Sequence, residues 1–148
     1  GEKKDLEPLI ESKKKFNYLI KTYPNTEFAR DSLYKLDLIN EILASKEMYI
    51  GRYYLEKKKW IPAINRFKHI IDEYKTSIYT EEALHRLVEI HYHIGLIEES
   101  KKYAILLGYN HDSSKWYKKS YLLFNKKYKE PKIKKENKDI KERFKELF

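Results

Sequence analysis

The architecture of this chain follows from the sequence of residues 47–74, EMYIGRYYLEKKKWIPAINRFKHIIDEY. Gly51 and Tyr54 precede a basic turn, and Ala63 and Phe67 follow it at helical spacing. Small residues such as Gly51 and Ala63 let two antiparallel helices approach closely, while Tyr54 and Phe67 fill the space beside them. The stretch therefore predicts a helical hairpin. Since one hairpin cannot bury its own apolar face, neighbouring copies are expected.

The spacing within this hairpin matches the tetratricopeptide repeat (TPR), a unit of about 34 residues with the pattern W-x-x-L-G-x-x-Y, then A-x-x-x-F, then P. Glu47 replaces the tryptophan, and Lys75 stands where the closing proline would be. The positions that are met in register are Ile50, Gly51, Tyr54, Ala63 and Phe67. The pattern predicts an all-α fold, a TPR-like solenoid of helical hairpins.

A second, degenerate copy of the hairpin follows 37 residues later. The correspondence is between Lys58, Ala63 and Phe67 in the first copy and Gly95, Ser100 and Ala104 in the second. An alanine takes the aromatic position, but the small residue at the helix crossing is kept. Gly95 is expected to end the preceding helix in the left-handed conformation that glycine favours.

The residues before the hairpin predict two helices, of which the second is unusually long. The first helix begins near Pro8. The separation in sequence between Phe16 and Pro24 equals that between the F and P positions of the repeat. This helix is therefore interpreted as the second helix of a repeat, and the chain as truncated at its amino end. The second helix spans residues 27–57, about 45 Å long. Two helices broken near residues 44–45 are the alternative.

Composition favours helix throughout the 148 residues, because glycine and proline number four each and 37% of the residues are charged. The absence of cysteine excludes disulfides and thiolate catalysis. Residues 1–114 hold 19 basic and 18 acidic side chains, whereas residues 115–148 hold 13 and 5. Of the net charge of +9, residues 115–148 therefore carry +8. It favours either a solvated basic tail or an anionic partner.

Two domains are predicted, a TPR-like repeat domain over residues 1–125 and a basic linker with a short amphipathic helix over residues 126–148. The repeat domain closes with a helix that contains Trp116. In the tail, Ile140, Phe144 and Leu147 recover helical spacing over residues 137–148. So short a helix is marginal alone, and we expect it to dock on the repeats or on a partner.

No motif for catalysis, phosphate binding or metal binding is present, so the sequence predicts a protein that is not an enzyme and uses no metal or cofactor. The five histidines are assigned to packing or surface roles. Arg66, beside the tight crossing, has two interpretations. It forms a surface ion pair with Glu73 or Glu56, or it binds a partner's carboxylate in bidentate fashion. The lysines at residues 57–59 form either a solvated turn or a contact with an acidic partner.

Residues 8–124 resemble the BamD family, the TPR lipoproteins of the outer-membrane β-barrel assembly (BAM) machine, and its alphaproteobacterial members in particular. The resemblance rests on the sequences YPNT at residues 23–26, IGRYY at residues 50–54, AINR at residues 63–66, EEALHRL at residues 81–87 and SKWY at residues 114–117. It implies a scaffold at the periplasmic face of the outer membrane, held there by a lipid anchor that this chain lacks. Its implied partner is the last POTRA domain of BamA, with other BAM lipoproteins as further candidates and no nucleic acid.

Within that resemblance, the family's arginine that contacts an acidic residue of the POTRA domain corresponds to Arg66. The candidate partner-binding residues are Asn65, Arg66, Lys58, Lys59 and Trp60. The alternatives are a generic TPR interaction module, or a binder of nucleic acid or anionic lipid that acts through the basic tail.

Overall fold

A computed structural model describes residues 6–126, which form six α-helices and, within that range, no strand. The helices are α1 (Glu7–Thr22), α2 (Glu27–Glu56), α3 (Trp60–Glu73), α4 (Thr80–His93), α5 (Ile97–Asn110) and α6 (Lys115–Phe124). The predicted all-α, TPR-like architecture is therefore confirmed. None of these helices combines the length and apolarity needed to cross a membrane. The predicted tail helix at residues 137–148 lies outside the described residues.

The long helix α2 is continuous, so the alternative of two helices broken near residues 44–45 is wrong. The Thr26 side chain caps it by accepting a hydrogen bond from the backbone nitrogen of Ala29 at 3.2 Å. Ala44 is fully buried, and this burial stabilises the helix where a break was considered. Leu33 is 48% exposed, whereas the preceding residue Ser32 is buried. The buried face of α2 rotates along its length, because α1 covers its first half and α3 its second.

The helices stack as a solenoid in which each one packs against the next, and α4 also packs against α6. The main core cluster joins α2, α3 and α4 and consists of Met48, Ala63, Phe67, Ile70, Ala83, Leu87 and Ile90, all fully buried. A smaller cluster of Ile39, Leu43, Ala44 and Tyr74 packs against α1 through Phe16. The hairpin of α2 and α3 thus buries its apolar face against α1 and α4.

Gly51 lets α2 and α3 approach closely. A Cβ atom at this position would lie 2.6 Å from Cε1 of Phe67, whose side chain is fully buried. In the second hairpin, 37 residues later, Val88 takes the place of Gly51 and Ala104 that of Phe67. At this pair of positions the larger side chain is therefore on the first helix of the second hairpin, and on the second helix of the first hairpin. Buried Ser100 donates a hydrogen bond to the Val88 carbonyl at 2.7 Å.

Candidate partner-binding site

Arg66 lies at the edge of the interface between α2 and α3, because the next residue, Phe67, points into the core. Its Nη1 atom donates to Oε2 of Glu47 at 3.1 Å and to Oε1 at 3.3 Å. The predicted ion pair with Glu73 or Glu56 is therefore wrong. Glu47 lies across the hairpin on α2, 19 residues before Arg66 in the sequence. Helical spacing rules relate residues three or four apart, so they could not identify this pair.

The pair between Arg66 and Glu47 holds the guanidinium in place more than it stabilises the fold. The Arg66 side chain is 41% exposed and that of Glu47 17%, and a pair exposed to this degree contributes at most about 1 kcal/mol. Both bonds use Nη1, and within residues 6–126 no hydrogen bond of Nη2 or Nε is found. A guanidinium oriented in this way can present its other nitrogens to a second carboxylate.

A cleft of about 410 Å³ opens beside Arg66. It is lined by Glu47, Tyr54, Ile61, Pro62, Asn65, Arg66 and His69. A second groove of about 290 Å³ also borders Arg66 and is lined further by Tyr49, Ile50, Tyr53 and Tyr54. Ile61 is 66% exposed and Tyr49 72%. One cation set among exposed aromatic and aliphatic side chains has the composition of a protein-interaction surface.

The structure brings together only part of the predicted site. Asn65 is exposed and lines the same cleft as Arg66. Lys58 and Lys59 lie in the exposed turn before α3, where Lys58 has a φ of 56°. Trp60 is half-buried, packs against the main core, and has its ring 5.0 Å from that of His93. Lys58, Lys59 and Trp60 do not line either cleft beside Arg66.

Six residues that line the two clefts were predicted neither as binding residues nor as repeat positions, namely Glu47, Tyr49, Tyr53, Ile61, Pro62 and His69. Glu47 was treated only as a missing tryptophan of the repeat. Its position one helical turn before Gly51, where α3 comes closest, was the available signal. Tyr49 and Tyr53 are four residues apart and therefore share a helix face.

A buried carboxylate, that of Glu82, ties α2 to α4. Glu82 accepts hydrogen bonds from Nε of Arg52 at 3.0 Å and from Nε of Arg86 at 3.3 Å, and Arg52 also reaches it through Nη2. Burial opposes the ionisation of Glu82, but the hydrogen bonds and charges of Arg52 and Arg86 together outweigh it and lower its pKa. The cluster is a structural clamp, because Glu82 is 5% exposed.

The histidines take packing roles of several kinds. Nδ1 of His85 lies 2.7 Å from Oγ of Ser120, and burial lowers the His85 pKa to about 4. His91 is buried with Nδ1 2.7 Å from the Leu87 carbonyl. Among residues 6–126, no group of three His, Cys, Asp or Glu side chains is arranged to hold a metal ion.

Comparison with known proteins gives the family. Residues 1–106 match the profile of YfiO, described as an outer membrane lipoprotein. The outer membrane protein assembly factor BamD of Rickettsia prowazekii (strain Madrid E) is 52% identical over 112 residues, which cover 76% of this chain and 45% of that protein. BamD of Caulobacter vibrioides (strain ATCC 19089 / CIP 103742 / CB 15) is 47% identical over 107 residues, which cover 72% of this chain and 35% of that protein. The chain thus spans less than half the length of these curated relatives.

The two relatives come from alphaproteobacteria, as the resemblance implied. They are named as assembly factors rather than as enzymes, in agreement with the predicted non-catalytic role. The predicted location at the periplasmic face of the outer membrane fits a family of outer membrane lipoproteins. The chain belongs to the YfiO/BamD family of outer membrane lipoproteins.

Proposed function

We propose that this chain is the scaffold part of an outer-membrane protein assembly factor of the BAM complex, and that it binds the last POTRA domain of BamA through the surface around Arg66. The observation that carries the proposal is the orientation of Arg66 by Glu47 at the border of two clefts. Membership in a family whose relatives are named assembly factors supports the first part.

The chemistry of the surface fits a protein partner that offers one acidic side chain within an apolar patch. The Arg66 guanidinium supplies a directed cation, and exposed Tyr49, Tyr53 and Ile61 supply apolar area around it. Such a centre, with a charge-assisted bond surrounded by aromatic side chains, is typical of the residues that dominate binding energy. Asn65 adds an amide donor and acceptor to the same cleft.

The test is a titration of the purified chain with the POTRA region of BamA. Arg66→Glu should weaken binding at least tenfold, since reversing one partner of a close charge pair in an interface costs about 2–5 kcal/mol. Arg66→Lys should recover part of the affinity, because it keeps the charge but loses the planar fork. Unchanged affinity of the Arg66→Glu variant would remove the POTRA assignment.

Arg30→Glu provides the matched control, because Arg30 is exposed near the start of α2 and undergoes the same charge change far along the helix from the clefts. It should leave the affinity unchanged. If both variants weaken binding equally, the contact is a general electrostatic attraction rather than a site at Arg66. Far-UV circular dichroism of both variants should match the parent chain.

A further inference from the structure

The outward side of α6 carries positive charge without any negative charge beside it in the helix. Residues 115–126 contain four lysines and no acidic residue, whereas each of the helices α1 to α5 contains at least two acidic residues. Lys115, Lys119 and Leu122 follow one another at intervals of four and three residues and therefore share one helix face. All three are exposed. These three residues are called the lysine face of α6.

The other sides of α6 are directed towards the neighbouring helices. Tyr117 packs against α5 so closely that a Cβ atom on Gly108 would lie 2.5 Å from its Cε2 atom. Ser120 is fully buried, and its Oγ atom lies 2.7 Å from Nδ1 of His85 on α4. An apolar groove of about 540 Å³ separates the outer edges of α5 and α6 and is lined by Tyr121. These contacts fix the rotation of α6 about its axis and turn the lysine face towards solvent.

Three cations surround the ring of Trp116 at the edge of the lysine face. Nζ of Lys119 lies 4.5 Å and Nζ of Lys115 5.2 Å from the ring centroid. Cζ of Arg86 lies 5.4 Å from the same centroid, and this guanidinium is paired with two carboxylates of α4. Within residues 6–126, neither lysine of the lysine face forms an ion pair. The cluster therefore holds two cations without a counter-charge.

The neighbouring helix α5 shows how exposed lysines are otherwise arranged in this protein. Nζ of Lys101 lies 3.1 Å from a carboxylate oxygen of Glu98, and Nζ of Lys102 lies 2.7 Å from one of Glu99. The helix α6 offers its lysines no such partner. The carboxylates of α4, against which α6 packs, already bind other groups. An anion that binds the lysine face would supply the missing counter-charge.

The composition of the lysine face favours a lipid surface over an acidic protein as the source of that anion. Lysine is depleted at protein–protein interfaces, where arginine is enriched. Lysines beside tryptophan and leucine are instead typical of helices that lie at the boundary between lipid head groups and acyl chains. Trp116 is half-buried, and Leu122 is 44% exposed. The chain belongs to a family of outer membrane lipoproteins, so a lipid surface is close to the protein.

We propose that the lysine face of α6 binds a membrane surface that contains anionic phospholipids, with its two lysines at the phosphate groups and Trp116 among the head groups. The contact is independent of the clefts beside Arg66, which no residue of α6 lines. Each lysine near an anionic membrane raises partitioning about fivefold, so two lysines raise it about 25-fold. A single lipid chain gives only reversible membrane binding, so a basic patch of this strength is a useful second signal in a lipoprotein.

The test is sedimentation of the full chain with vesicles of phosphatidylcholine that contain about one third phosphatidylglycerol, at low ionic strength. The double variant Lys115→Gln, Lys119→Gln should weaken binding about 25-fold. The matched control Lys14→Gln, Lys21→Gln removes the same charge from exposed positions of α1 and should change binding by less than about twofold. Equal weakening by both variants would overturn the proposal. So would equal binding of the parent chain to vesicles of phosphatidylcholine alone.

Tryptophan fluorescence gives an independent, local measurement. The chain has two tryptophans, so Trp60→Phe leaves Trp116 as the only one. Phosphatidylglycerol vesicles with brominated acyl chains should quench its emission and shield it from acrylamide. Absence of quenching at saturating lipid would show that α6 does not touch the membrane. If single-stranded RNA or polyglutamate shields Trp116 at lower concentration than the vesicles do, the lysine face binds a nucleic acid or an acidic protein, and the lipid assignment is wrong.

Discussion

Gly51→Ala should destabilise this protein, although alanine is the better helix former. In an exposed helix interior the exchange would stabilise the fold by about 1 kcal/mol. Here the new Cβ would lie 2.6 Å from Cε1, 3.0 Å from Cδ1 and 3.0 Å from Cζ of Phe67. The Phe67 ring cannot retreat, because it is fully buried against Met48, Ala63 and Ile70. The helices α2 and α3 must therefore separate.

Separation of a packed interface by one methyl group costs about 1–3 kcal/mol. We expect the steric cost to lie in the upper part of this range, about 2–3 kcal/mol, because the Phe67 ring is fully buried. Subtracting the gain in helix propensity of about 1 kcal/mol leaves a net loss of about 1–2 kcal/mol in the free energy of unfolding. In a chain of this size the melting temperature should fall by about 3–8 °C. Urea denaturation followed by far-UV circular dichroism measures the free energy of unfolding directly.

A double-mutant cycle with Phe67→Leu tests the cause. If the Phe67 ring is the obstacle, Gly51→Ala should cost less, or even stabilise, in the Phe67→Leu background, with a coupling energy of about 1 kcal/mol or more. An additive cycle would refute the steric reasoning. So would a Gly51→Ala variant that is more stable than the parent by the full propensity gain, since the interface would then accommodate the methyl group without separating.

Two further predictions concern buried titratable groups. Glu82→Gln should lower stability by about 1–2 kcal/mol at pH 7, since it removes the charge partner of the half-exposed Arg52 and leaves Arg86 with Glu89 alone. The pKa of Glu82 is lowered on folding, so its carboxylate stabilises the fold above about pH 4.3. This stabilisation is lost as the pH falls through the pKa of Glu82 in the folded state. The urea midpoints of the parent and the variant should therefore converge in acid. His85 has the pKa of about 4 in the fold against 6.5 in the unfolded chain, so only the unfolded state gains a proton between these values and stability falls as the pH drops. The matched variant is His85→Asn, which keeps a polar atom near Ser120 but does not titrate. Between pH 7 and pH 5 the free energy of unfolding of the parent should fall by about 2 kcal/mol more than that of His85→Asn. Parallel curves of stability against pH for the two proteins would contradict the assigned pKa.

Local patterns in the sequence were sufficient to predict the elements of the fold. The hairpin at residues 47–74 and the long helix before it follow from apolar periodicity and from the spacing of small and aromatic residues. Phe67 and Gly51 carry a steric requirement that holds in any antiparallel helix pair. The family followed in the same way, because its motifs are short stretches such as IGRYY and AINR whose order along the chain is itself diagnostic.

The partners of individual side chains could not be predicted with equal success. Arg66 pairs with Glu47 rather than with Glu73 or Glu56, and Trp60 packs into the core rather than lining the cleft. These contacts join different helices, and they depend on how far each helix is rotated about its own axis when it packs. A rotation of a few tens of degrees moves a side chain from the core to the surface while leaving the apolar periodicity nearly the same.

Residues 47–74 therefore specify the hairpin by themselves, because close approach at Gly51 and filling by Phe67 are properties of neighbouring turns of helix. The surface around Arg66 arises only when α2 and α3 are packed, since Glu47 orients the guanidinium from the opposite helix. The same is true of the groove between α5 and α6, whose apolar residues come from two helices. Sequence periodicity sets which residues can share a helix face, and tertiary packing decides which of those faces meet each other and which remain open to a partner.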